Sequence, residues 1–150
     1  MRIRKYEPSD LEPMARLFYE TVHAVNRKDY TARQLEAWAP GNVDLDAWNT
    51  SFRGHLAYVA TINGLIAGFG DIDGTGYLDR LFVHKDFQRR GVAAALCGRL
   101  ESEAGAKCIT VRSSVTARPF FEKRGYEIIK AQEVERRGVW LKTFMMMKSL

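Results

Sequence analysis

The sequence predicts a mixed α+β fold in which a hairpin meander is followed by a β-α-β unit. Two β-rich runs separated by Asn63-Gly64 supply the meander, and strands on either side of the helical pattern that starts at Val92 supply the crossover. At 150 residues the chain has the size of one domain with a continuous core, expected to span 1–150.

Taken in order, "RIRKY" (2–6) alternates around Ile3 and reads as a first strand. Ser9 and Glu12 form an S-x-x-E capping box. After it Leu11, Met14, Ala15, Phe18 and Val22 recur at three- and four-residue steps, predicting one buried helical stripe that tolerates the early Pro13. In "YTARQLEAWAP" (30–40), Thr31 and Gln34 form a second box, Tyr30 and Leu35 a hydrophobic staple, and Pro40-Gly41 a stop. Leu45, Trp48 and Phe52 are spaced for a further helical turn. "HLAYVATI" and "LIAGFGDI" pair antiparallel across Asn63-Gly64, and "YLDRLFV" adds a third strand. Val92, Leu96, Leu100 and Ala104 share one helical face ended by Gly105. "KCITVRS" is a strand, and Thr116 caps a short helix through "ARPFFEKR" that Gly125 ends. Strands near 126–133 and 139–147 complete the order β-α-α-β-β-β-α-β-α-β-β.

Hydrophobic residues at 46% and charged residues at 27% fit a globular chain. No apolar run is long enough to span a bilayer, and the basic start "MRIRKYEPSD" has no apolar region behind it, so a cytoplasmic location with no membrane partner is expected. Cys97 and Cys108 cannot build a disulfide framework and lack the neighbours of a zinc site; both are read as core residues, and no metal is expected. The net charge of +5 favours anionic ligands. No helix-turn-helix, zinc-finger or aromatic RNA-binding signature accompanies it, so nucleic acid is not an expected partner.

The stretch "VHKDFQRRGVAAAL" (83–96) carries the chemistry. The amides of Arg89 to Ala94 are the unsatisfied first donors of a helix, where the macrodipole adds about half a positive charge. Gly91 lets an anion reach the backbone, Ala93 leaves similar room, and Arg89 and Arg90 add mobile charge; a pyrophosphate suits this junction. The same residues would also serve a helix that needs only small side chains in its first turn. Neither a GKS or GKT P-loop nor a G-x-G-x-x-G fingerprint is present.

"QRRGVA" (88–93) resembles the Q/R-x-x-G-x-G/A motif of the GNAT family of acyl-CoA-dependent N-acetyltransferases. "LFVHKDF" looks like that family's pyrophosphate-binding strand, and "ARPFFEKRGY" like its helix near the pantetheine and thiol. The element order matches over nearly the whole chain, and "DYTARQLEAWAP" and "RRGVWLKTFMMMKSL" are similar to the YafP-like branch. The resemblance implies a central, largely antiparallel sheet of about six to seven strands flanked by about four helices. It implies acetyl-CoA as cofactor and direct transfer of the acetyl group from the thioester to an amine in a ternary complex, a small molecule in preference to a protein. Gln88 and the amides of Arg89, Arg90, Gly91, Val92, Ala93 and Ala94 would hold the pyrophosphate. Leu81, Phe82 and Val83 would hold the pantetheine arm as an added strand, with the Val83 amide on the thioester oxygen. Ser114, Phe120 and Phe121 would lie toward the thiol end, Phe121 against the cofactor and Phe120 more in the core.

An ammonium has no lone pair to attack with, so a general base is required. Asp79 and Asp71 are the candidates: period 2 puts Asp79 on the face of Leu81 and Val83, and Asp71 ends the neighbouring strand. Either could instead be an exposed strand-end charge or half of a salt bridge. His84 could relay a proton or be a solvated loop residue, and His23 and His55 have no partner visible in the sequence. Where many family members carry a tyrosine acid, in the pattern A-x-x-x-Y-x-x-x-G, this chain has Phe121. A thiol with a pKa of about 8.5 can leave without an acid; Tyr126, Ser114 or a water are the substitutes. Tyr30, Trp38 and Trp48 offer aromatic surface for an acceptor. A non-catalytic acyl-CoA sensor is the alternative that Phe121 keeps open, and the exposed edge with the Trp140 to Met147 strand leaves room for a homodimer.

Overall fold

The computed structural model describes residues Met1–Leu150. Its strands are β1 (Arg2–Lys5), β2 (Leu56–Ile62), β3 (Leu65–Ile72), β4 (Tyr77–Val83), β5 (Cys108–Ser114), β6 (Glu127–Arg136) and β7 (Val139–Ser149). They form one 7-stranded sheet in the order β1-β2-β3-β4-β5-β7-β6. All neighbours are antiparallel except β4 and β5, which the crossover makes parallel. That contact is brief: Tyr77 pairs with Thr110 and Leu78 with Val111, and beyond them the two strands part.

Helices α1 (Leu11–Val25), α2 (Ala32–Trp38) and α3 (Leu45–Gly54) cover one face, and α4 (Val92–Glu103) and α5 (Arg118–Lys123) the other. The spacing of Leu45, Trp48 and Phe52 is thus a full helix, started by Asp44, whose Oδ1 accepts from the Ala47 amide at 3.0 Å. The Thr31–Gln34 box forms as expected, at 3.2 and 2.9 Å, with Tyr30 and Leu35 buried in one cluster. The Ser9–Glu12 box does not form. A 3-10 turn at Pro8–Asp10 precedes α1, and the buried Asp10 carboxylate takes the Glu7 amide at 2.9 Å and two bonds from Arg4 at 2.8 Å each. The helical segment therefore starts two residues earlier, at Glu7, with Ser9 inside the turn and the ion-paired Asp10 carboxylate as the acceptor. Thr116 is likewise no cap: its hydroxyl donates to Asp29 at 2.8 Å, while Ser114 Oγ accepts from the Ala117 amide at 3.0 Å.

The sheet carries a core on each face. Met14, Leu17, Phe18 and Val22 of α1 meet Phe52 and Phe69 on one side; Val92, Leu96 and Leu100 of α4 meet Leu78, Ile109 and Met146 on the other. Helix α4 rests directly on β3 because β3 presents glycine there. A Cβ on Gly68 would lie 2.8 Å from Val92 Cγ1, and one on Gly70 would lie 3.1 Å from Leu100 Cδ1. Within this core Glu101 accepts from Tyr126 Oη and Arg124, each at 2.7 Å. Cys97 beside them is a free, buried thiol that burial and then the Glu101 charge push up to about 11. Cys108 is free and half-buried.

Candidate active site

The gap between β4 and β5 ends at the N-terminus of α4. Gly91 precedes that helix with φ +79°, a left-handed conformation suited to glycine, and the space a Cβ would enter is open. Arg89 is also left-handed, at φ +60°. The first helical amide bonded within α4 is Ala95, to Gly91 O at 3.0 Å, which leaves those of Val92, Ala93 and Ala94 as first-turn donors. Arg89 and Arg90 are exposed beside them, Arg90 stacked 5.3 Å from the Phe87 ring centre. Gln88 turns the other way: its amide donates to Val83 O at 2.7 Å and thereby fastens the end of β4.

The peptide after Val83 is held from three sides. Its carbonyl accepts from Gln88 and, at 3.0 Å, from Thr21 of α1, while its N–H, on His84, donates to Ala67 O at 2.8 Å. Antiparallel alternation from that bond makes Phe82 and Phe69 a bonded pair and turns the peptide groups of Leu81 and Val83 away from β3, toward the gap. The Leu81 and Val83 side chains pack on the α4 core, whereas Phe82 packs against Phe18 and Phe69, with ring centres 4.9 and 5.8 Å away. Phe82 therefore belongs to a cleft wall on the α1 side.

Asp79 lies elsewhere than strict alternation predicts. Asp71 pairs with Arg80 and Ile72 with Leu78, so Asp79 is the extra residue of a β-bulge. The bulge lets Leu78 join Leu81 on the α4 face while Asp79 opens into the cleft with Arg80 and Phe82. Its carboxylate is 3.2 Å from Arg80. Desolvation raises its pKa; Arg80 opposes the rise and the nearby Asp71 charge adds to it. Asp71 stands outside the cleft wall, at 0% exposure. Its two oxygens take Arg80 Nε at 3.0 Å and Nη2 at 2.8 Å, and His55 Nδ1 lies 2.7 Å from Oδ2. With both oxygens engaged and no solvent access, Asp71 is half of a salt bridge, and His55 has found its partner. His55, Asp71 and Asp79 place ligand atoms within 4.8 Å of one another, but the Arg80 guanidinium already bonds both carboxylates and fills the place a cation would take.

The cleft encloses about 570 Å³, with Phe18, Trp38, Trp48, Phe82, Tyr77 and Asp79 among its walls. Tyr30 lines it too, but its hydroxyl is committed: it donates to Lys142 O at 2.6 Å and accepts from the Val115 amide at 2.9 Å. Ser114 reaches the cleft edge from the end of β5. Phe121, expected at the cofactor, is instead core at 3% exposure, its ring centre 5.1 Å from that of Tyr126, and Phe120 is the half-buried member of the pair. Consecutive helical residues point about 100° apart, and the short α5 turns the second of the two inward. Tyr126 donates to Glu101 in the core, burial pushes its phenol far up, and it is no acid for the cleft. His84 caps the 3-10 turn after β4, its Nδ1 accepting from the Asp86 amide at 3.0 Å.

Four arginines and a threonine in the cleft were missed in the sequence: Arg80, Arg112, Arg136, Arg137 and Thr143. The Arg136-Arg137-Gly138 run holds one available signal. Arg137 and Gly138, at φ +50° and +78°, form the β6–β7 hairpin turn that brings the pair of arginines over the cleft.

The family described as "Acetyltransferase (GNAT) domain" matches residues 26–149. The chain is 37% identical over 150 residues to the uncharacterized N-acetyltransferase YafP of Escherichia coli K12, across 97% of this chain and 94% of that protein. A GCN5-related N-acetyltransferase from Rhodopseudomonas palustris superposes with a TM-score of 0.95 at 35% identity, over 99% of this chain and 95% of that one. The PaiA N-acetyltransferase of Thermoplasma acidophilum, solved in complex with coenzyme A, shares the fold at a TM-score of 0.80 and 16% identity, over 99% of this chain and 98% of that one. With parted central strands, free amides at the helix between them and these relatives along its length, the chain belongs to the GNAT N-acetyltransferase family.

Proposed function

We propose that this N-acetyltransferase transfers the acetyl group of acetyl-CoA to the amine of a small molecule in a ternary complex. The observation that carries this is the parting of β4 and β5 at the start of α4, where strand-edge peptide groups and free helix amides face one gap. The amides of Val92, Ala93 and Ala94, next to left-handed Gly91 and flanked by Arg89 and Arg90, would hold the pyrophosphate. The N–H and C=O of Leu81 would bond the pantetheine arm as an added strand, the Val83 carbonyl being taken by Gln88 and Thr21. Bound there, the cofactor supplies an acyl group activated as a thioester.

The chain's own residues do the rest. Val83 N–H would donate to the thioester oxygen, where negative charge develops, and coenzyme A would leave as the thiolate. Asp79 takes the proton that the ammonium must lose, and its raised pKa makes it a stronger base than an ordinary aspartate. Arg80, itself clamped by Asp71, positions Asp79. The aromatic walls orient the acceptor and exclude water. A cleft of about 570 Å³ bordered by α2, the segment before α3 and the β6–β7 turn suits a small molecule. An aspartate held in that cleft favours catalysis over a sensor.

The test is acetyl-CoA affinity by calorimetry for the wild type and Gly91→Glu, with circular dichroism to check the fold, followed by thiol release across an amine panel. Binding lost in a folded variant, with turnover in the wild type, is the expected result. No acetyl-CoA binding by the wild type would overturn the proposal.

A further inference from the structure

The acceptor cleft is uneven in charge. Its carboxylates are engaged: Asp79 faces Arg80, and Asp44 caps α3. Arg112, Arg136 and Arg137 line the same cleft with no carboxylate partner in the protein. Arg136 and Arg137 are exposed and oriented by backbone carbonyls, Glu135 O at 3.0 Å and Ala37 O at 2.7 Å, so no carboxylate of the protein neutralises them. Burial raises the Tyr77 pKa while Arg112 and Arg136 both act against it, so two of the guanidinium groups gather near this ring.

Thr143 adds a second, independent observation. It is 9% exposed on the cleft wall, and its buried hydroxyl, like Oε1 of its cross-strand neighbour Gln132, has no hydrogen-bond partner in the protein. Buried polar groups are normally paired, so an orphan at a ligand cleft points to a polar atom of the ligand. A plain hydrocarbon amine would leave three arginines at the cleft without an anionic partner and a buried hydroxyl unsatisfied. Guanidinium forks match a carboxylate in shape as well as charge.

We infer that the acceptor is an amino-carboxylate on a compact apolar or aromatic body, its amine toward Asp79 and its carboxylate toward Arg112, Arg136 and Arg137. This rests on the acetyltransfer proposed above. The experiment compares two matched pairs, phenylalanine with phenethylamine and 4-(aminomethyl)benzoate with benzylamine, which set the carboxylate beside the amine or across a ring from it. Steady-state kcat/KM and, independently of turnover, calorimetric binding to the CoA-loaded protein are measured. In at least one pair the carboxylated member is favoured at least tenfold in both, and Arg112→Gln with Arg137→Gln removes the preference while acetyl-CoA affinity stays within twofold. Thr143→Val raises the KM of the favoured acceptor.

Equal or better use of both neutral amines overturns the inference and leaves acetyltransfer standing. Carboxylate-selective binding without turnover supports the inference and overturns acetyltransfer. Arginine variants that lose acetyl-CoA instead of acceptor selectivity assign these residues to the cofactor and overturn the inference.

Discussion

Asp71 and Arg80 are matched twice, as Cα partners across the β3–β4 ladder and as a two-bond ion pair at 3.0 and 2.8 Å. The aspartate is fully buried, and the guanidinium also lies 4.3 Å from the Phe52 ring centre. Replacing Arg80 by Met strands a buried charge and is expected to cost about 3–5 kcal/mol of stability, read by urea unfolding. A loss below about 1 kcal/mol would mean that solvent or His55 compensates the charge.

Asp79 sits on the same arginine without being enclosed by it. Asp79→Asn keeps the shape of the cleft and removes the base, so kcat/KM is expected to fall about a hundredfold or more with acetyl-CoA affinity within twofold. Because the base works deprotonated and its pKa is raised, the wild-type acid limb lies above the ordinary aspartate value of about 3.9, with activity rising as pH rises through it. A variant that retains the wild-type rate would assign the proton to water alone.

Gly68 bears the first turn of α4. Gly68→Ala forces a methyl to within 2.8 Å of Val92, so α4 must lift at the end that carries the free amides. The expected outcome is a loss of about 1–3 kcal/mol in stability with weaker acetyl-CoA binding, read by denaturation and calorimetry. Unchanged affinity would show that the amide cradle tolerates the shift.

Burial alone would raise the Glu101 pKa, but hydrogen bonds from Arg124 and Tyr126 outweigh it and hold the folded-state value below the ordinary one. The sign follows: the folded state binds this proton more weakly than the unfolded chain. The contribution is complete above the unfolded glutamate value of about 4.3 and is lost as pH falls through the depressed value. Glu101→Gln should flatten that part of the wild-type stability curve, measured by thermal unfolding between neutral and acid pH. An unaltered acid slope would place the linkage on other carboxylates.

Much of this architecture was legible in the sequence because it is set locally. The Asn63-Gly64 turn, the Thr31–Gln34 box and the α4 stripe depend on residues a few positions apart. The junction proposed to hold the cofactor was legible as a helix start for the same reason, since its glycine, arginines and first helical residues are contiguous. The Asp10 cap escaped because Arg4 competes for it from another element. Asp79 was named but misplaced, for one bulged residue inverts the face that alternation assigns. The arginine rim and Thr143 come together from β5, β6, β7 and the hairpin turn, and no spacing along one segment encodes that meeting.

The sheet order also constrains how the molecule is made. Strand β7 lies between β5 and β6, although it is later in the chain than both. The proposed phosphate cradle is complete once α4 has formed, whereas the far edge of β5 and the Tyr30 hydroxyl wait for Lys142 and its neighbours to arrive. During synthesis the proposed coenzyme grip thus emerges before Leu141 and Thr143, the β7 residues that complete the proposed acceptor cleft. A chain interrupted before Val139 would retain the donor-side residues and most of the cleft lining but lack Leu141 and Thr143 and leave the β5 flank unsealed.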